Sequence, residues 1–99
     1  MEIRLLKAAQ AELDGGFTYY EDQSGGLGYE FIDEIFSTLK RIKNNPTSWA
    51  PFSIQTRRCL VHRFPYGIIY QIRETDNEIL VVAIAHLHRK PQYWKKRVE

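Results

Sequence analysis

Three residues near the C-terminal end of the chain, His86, His88 and Arg89, have types and spacing that suit chemistry. Imidazole changes its protonation near neutral pH and can give or take a proton. A guanidinium stays charged and presents a planar fork of donors to carboxylate or phosphate. All three follow an apolar run, Ile79 to Ala85, within the stretch EILVVAIAHLHR from Glu78 to Arg89. A run rich in Ile, Leu and Val predicts a strand covered on both faces. Side chains alternate along a strand, so His86 and His88 are expected to leave one face together. The pattern delivers proton-transfer groups and a fixed cation to the exit of a buried strand.

The rest of the chain must position that exit. Glu2 to Lys7 alternates as a short strand, with Ile3 and Leu5 on one side. Ala9, Leu13, Phe17 and Tyr20 then recur at helical spacing, interrupted by Gly15 and Gly16. Each glycine costs a helix about 1 kcal/mol relative to Ala. Either the helix bends there or a neighbour packs against the bare backbone. Ser24 to Gly28 is a break, after which Leu27, Phe31, Ile35, Leu39 and Ile42 trace a second helix. Acids lead and bases trail along it, as its dipole favours, and Asn44-Asn45-Pro46 stops it. A short Gly-rich turn between two helices predicts an antiparallel hairpin.

Thr47 to Ser53 reads as a loop pinned to the core by Trp49 and Phe52. Strands follow at Ile54 to Phe64, Ile68 to Glu74 and Glu78 to Arg89, separated by Pro65-Tyr66-Gly67 and Thr75-Asp76-Asn77. In the first of them Arg58, Leu60, His62 and Phe64 share one face and Arg57, Cys59, Val61 and Arg63 the other. The order is βααβββ. It predicts a two-layer α+β domain with an N-terminal helical hairpin packed on an antiparallel sheet and a three-stranded C-terminal meander. A lone first strand would leave its backbone unpaired, so it is expected beside one of the last three.

At 99 residues the chain is expected to form one domain, residues 1–99. No apolar run is long enough to span a bilayer, and no membrane association is expected. The N-terminus lacks the pattern of a signal peptide. A single cysteine, Cys59, excludes an internal disulfide and fits a reducing compartment, so the cytoplasm is the expected location. The net charge of +2 conceals an asymmetry: residues 1–50 carry eight acidic and five basic side chains, residues 51–99 four acidic and nine basic. The second half is therefore the candidate surface for a polyanion or an acidic protein.

Three blocks, LKRIKNNP, RRCLVHRFPYGIIYQI and EILVVAIAHLHRKPQYW, resemble in order and spacing the RelE/ParE superfamily of type II toxin–antitoxin toxins. FPYGIIY and AHLHRKPQYW are the most specific parts, and the resemblance covers nearly the whole chain. It implies a small cytoplasmic toxin that inhibits growth and is neutralised by a cognate antitoxin, docked on the helical hairpin and the basic sheet surface. RelE-like members cleave mRNA, commonly on the ribosome and without a metal; ParE-like members share the fold and are associated with inhibition of DNA gyrase.

Metal-free RNA cleavage needs a base for the 2′-hydroxyl, an acid for the leaving oxygen, and cations to stabilise the transition state. His86, His88, Arg89 and Tyr93 are the candidate catalytic set, and Arg57, Arg58 and Arg63 the candidate phosphate- or target-binding cations. Against this stands the modest net charge, because phosphate contacts dominate affinity for nucleic acid. Other residues have plainer readings. His62 is expected to be a surface or hydrogen-bonded histidine, Cys59 a small core residue, and Tyr93-Trp94 an apolar clasp over the sheet edge. His86-x-His88 lacks a third ligand at useful spacing, so no metal is expected. Gly25-Gly26-Leu27-Gly28 lacks the lysine and Ser/Thr of a phosphate loop, and no cofactor is expected. The alternative is a non-toxin nucleic-acid-binding or interaction domain of the same fold, which should gather more basic and exposed aromatic residues in one patch.

Overall fold

The structure, a computed structural model, describes residues 1–98. β1 (Glu2–Leu5) leads into α1 (Lys7–Gln23) and α2 (Leu27–Asn44). β2 (Arg57–Leu60), β3 (Tyr66–Arg73) and β4 (Glu78–His86) follow, and a 3-10 turn spans Lys95–Val98. The strands form one sheet in the order β1-β4-β3-β2. The helical hairpin and the C-terminal meander stand as expected, with one difference. β1 runs parallel to β4, so the sheet is mixed. The hairpin provides the long crossover that a parallel pair requires.

The helices bury Ala9, Leu13, Phe31, Ile35 and Ile42 against Ile68, Tyr70, Ile79, Val81 and Ile84 of the sheet. Ile69, Val82, Ala83 and Ala85 face the other way, where Trp94 and Phe52 cover them. β4 is thus enclosed from both sides, which is why its sequence is a continuous apolar run instead of an alternating one. The loop before β2 is pinned on both sides too: Trp49 packs with the helical core and Phe52 with Trp94.

β4 also carries a bulge. Ile69 pairs with Ala83 and Tyr70 with Val81, leaving Val82 without a counterpart. An extra residue in one strand reverses the alternation beyond it. Val81 and Ile84 therefore share the helix-facing side, although strict alternation would put them on opposite faces. By the same shift His86 is turned toward the helices, where its ring meets Tyr66 edge-on at 5.1 Å between centroids.

Two strands are shorter than their sequence pattern suggests. β4 was expected to run to Arg89 but ends at His86, because its partner β3 begins at Tyr66, opposite His86. The two histidines are consequently not strand neighbours on one face. The Arg89 N–H donates to the His86 carbonyl at 3.1 Å, closing a turn that carries His88. β2 was expected to span Ile54 to Phe64 but covers only Arg57–Leu60. Beyond it Arg63 adopts a left-handed conformation (φ 71°), and the Val61 N–H donates to the Tyr66 carbonyl at 2.9 Å. This tight loop sends both Val61 and Phe64 into the core and breaks the expected alternation.

α1 runs unbroken through both glycines. A Cβ on Gly16 would lie 2.6 Å from the Phe31 ring, whereas one on Gly15 would meet nothing within 4 Å. Phe31 is fully buried among Tyr20, Phe64 and Tyr66 and has nowhere to move. The close-packing explanation thus applies to Gly16 alone. Gly16→Ala is expected to lower the stability measured by urea unfolding by about 1–3 kcal/mol. Gly15→Ala is expected to raise it by roughly 0.5–1 kcal/mol through helix propensity.

Candidate functional site

The exit of β4 gathers the four residues of the candidate catalytic set. The His88 backbone N–H donates to His86 Nδ1 at 3.1 Å, and the two rings meet edge-on with centroids 5.1 Å apart. The Arg89 guanidinium lies 3.7 Å from the Tyr93 ring centroid, a cation–π stack. A neutral His86 that accepts at Nδ1 carries its proton on Nε2, so it offers the site a donor.

What holds these residues is a carboxylate on α1. Glu12 Oε1 accepts from the Ile84 backbone N–H at 3.0 Å and from Arg97 Nη1 at 2.9 Å. Oε2 accepts from the Tyr93 hydroxyl at 2.5 Å, from Arg97 Nη2 at 3.1 Å and from Arg89 Nη1 at 3.3 Å. The Glu12 side chain is only 13% exposed. Arg97 Nη1 also donates to the Val82 carbonyl at 3.0 Å, satisfying the residue that the bulge leaves unpaired. Glu12 and Arg97 escaped the sequence reading. The available signal was position: Glu12 stands in line with Ala9, Leu13 and Gly16, an acid on the buried face of a helix.

The cations divide. Arg58 stacks on Phe52 at 4.3 Å and forms no ion pair among the described residues. Its stem covers Gly67, and with His86, Arg89, Lys90 and Tyr93 it lines one shallow cleft. Arg57 lies apart, donating to the carbonyls of Trp49 at 2.7 Å and Thr47 at 3.3 Å, where it ties down the loop before β2. Arg63 is also elsewhere, paired with Glu30 at 2.7 Å and Glu34 at 3.7 Å on α2. Lys90 joins the cleft although the sequence reading did not single it out. Among the described residues no three His, Cys, Asp or Glu side chains converge as metal ligands.

Comparisons with known proteins agree with this architecture. The family model described as "ParE toxin of type II toxin-antitoxin system, parDE" matches residues 3–91. Among solved structures the chain is similar to one from the "Chromosomal ParDE TA system from P. aeruginosa", with a TM-score of 0.77 at 17% sequence identity. That match covers 89% of this chain and 97% of the other, and at such identity it speaks for the fold alone. Among curated proteins no sequence match is found. No helix is long and apolar enough to cross a membrane among the described residues.

The tyrosines around the site are held protonated. Burial first, and then the hydrogen bond to Glu12, push the Tyr93 phenol well above the ordinary phenol range. Burial raises Tyr66 to about 12, and it raises Tyr70, on the same side of the sheet, to about 12 as well. Each binds its proton more tightly folded than unfolded, where a phenol ionises near pH ~10. The stability they contribute is therefore intact below pH ~10 and is lost as pH rises through the folded values. Urea unfolding is expected to show midpoints insensitive to these groups between about pH 7 and 9 and falling above ~10. Tyr93→Phe is expected to make that alkaline fall shallower, and an unchanged slope would show that Tyr93 is not one of the responsible groups.

Proposed function

The chain belongs to the ParE toxin family of type II toxin–antitoxin systems, and on that premise we propose that it inhibits growth by binding DNA gyrase in the cytoplasm and that a cognate antitoxin holds it inactive. The binding reading draws on the ParE-like side of the superfamily resemblance and on one observation at the exit of β4: the groups there are engaged with one another. The Tyr93 hydroxyl donates to Glu12, Arg89 is paired with the same carboxylate, and His86 Nδ1 is occupied by the His88 N–H. A nuclease needs a base and an acid free to exchange protons with the substrate. Of the two imidazoles at the exit of β4, this arrangement leaves only His88 with no bond to its ring among the described residues, and that exposed side chain does not line the cleft. The arrangement suits recognition better than proton transfer. Arg58, Lys90 and the open side of Arg89 then act as the cations that meet an acidic surface of the target.

The antitoxin reading draws support from α2. Tyr29 and Phe36 on α2 are 63% and 54% exposed, large apolar groups on an otherwise charged helix. A partner covering them and reaching the basic sheet surface would shield both.

Induction of the chain without its antitoxin is expected to stop growth, elicit a DNA-damage response and leave transcripts intact. The purified chain is expected to inhibit gyrase supercoiling, and Arg58→Ala should weaken that inhibition by about tenfold, the loss of one charged interfacial contact. Primer extension on mRNA after induction checks the competing chemistry. Discrete new 5′ ends that vanish in His86→Ala would establish RNA cleavage and displace the gyrase reading.

A further inference from the structure

We propose that Glu12 is a positioning residue, whose negative charge sets Arg89 and Tyr93 in the arrangement that meets the target. The inference rests on the exit of β4 being the target-facing surface.

Residues 87–94 belong to neither a strand nor a helix, and beyond Leu87, whose N–H donates to the Pro65 carbonyl at 2.8 Å, their backbone bonds are those of local turns. Side chains must therefore fix their course. Trp94, 3% exposed, anchors the segment to the sheet face away from the helices. That contact determines where the segment lies, and the Tyr93 ring packs against the same cluster, but neither aims the Arg89 guanidinium. Glu12 reaches them from α1, more than 70 residues away in sequence, with one oxygen accepting from both. Arg89 remains half exposed, with its guanidinium over the Tyr93 ring and one nitrogen on Glu12. Its rotamers are thereby restricted before any partner arrives, which lowers the ordering cost of binding.

A plainer role is available to Glu12, that of a fastener between α1 and β4 through the Ile84 N–H. A neutral amide would serve as fastener, since its carbonyl still accepts from Ile84. It would not hold two guanidinium groups as Glu12 does, because the attraction between opposite charges is lost and an amide has one acceptor oxygen where the carboxylate uses two. Glu12→Gln thus separates the two roles.

The test compares the wild-type chain, Glu12→Gln and Arg4→Gln, which breaks a remote ion pair with Glu78. Stacking on Tyr93 should shift the NMR signals of the Arg89 side chain upfield in the wild type and in Arg4→Gln. In Glu12→Gln that shift should collapse while the amide signals of α2, β2 and β3 stay in place, and gyrase inhibition should weaken by at least about tenfold, as expected when a positioned cation is lost. A persisting upfield shift would overturn the proposal, as would a collapsed shift with undiminished inhibition. If Glu12→Gln does not fold, Glu12→Asp, one methylene too short to reach both partners, carries the same two readings. The NMR signature needs no target. A wild type that neither inhibits gyrase nor stops growth would therefore count against the proposed function, while the signature alone still decides whether Glu12 sets Arg89.

Discussion

β4 is buried on both faces, yet β1 accompanies it only from Glu78 to Val81. From Val82 onward one edge of the central strand has no neighbouring strand, and its polar groups lie in a region from which water is largely excluded. Such groups cannot be left unpaired without a cost of about 1–3 kcal/mol each. The fold meets the requirement with side chains: Glu12 takes the Ile84 N–H and Arg97 the Val82 carbonyl. Much of the surrounding structure follows from that constraint. α1 must lie close enough to deliver Glu12, so Gly16 must be bare to admit Phe31 beneath it. The C-terminal segment must fold back over the sheet to deliver Arg97, and Trp94 seats it there.

The candidate site is a by-product of the same solution. A carboxylate that is largely removed from solvent needs compensating cations and donors, and Arg97, Arg89 and Tyr93 provide them. Each is thereby fixed in place. Tyr93 loses its capacity to act as a base, since burial and the bond to Glu12 keep its proton on. Arg89 gains a defined direction while keeping an open side. Structural necessity and the proposed recognition surface rest on one cluster, and the engagement of its groups is what weighs against acid–base chemistry.

The family and the chemistry are therefore carried by different features. Membership follows from the match over residues 3–91, and the fold is shared with a solved ParDE toxin–antitoxin structure. The proposed mode of action depends on what a few side chains at the exit of β4 are doing. Arg57 and Arg63 illustrate the point. Both are arginines within the strand expected from Ile54 to Phe64, yet one secures a loop and the other pairs with α2. Arg58, whose neighbours on either side in sequence are Arg57 and Cys59, alone faces the cleft.

The sequence by itself determined the elements, the helical hairpin, the meander, and the double burial of Ile79 to Ala85, because these depend on periodicity and composition that act locally along the chain. It also placed the candidate chemistry at the end of β4, since His86, His88, Arg89 and Tyr93 are close in sequence. The tertiary structure alone decided which way that chemistry faces and what restrains it. The bulge at Val82 reverses alternation and turns His86 toward the helices, but it arises from the pairing of β4 with β3 and leaves no mark in the apolar run. Glu12 lies 72 residues before Ile84 and 85 before Arg97 in the chain. A contact between groups that distant depends on how the helices and the sheet pack together, which no local pattern encodes.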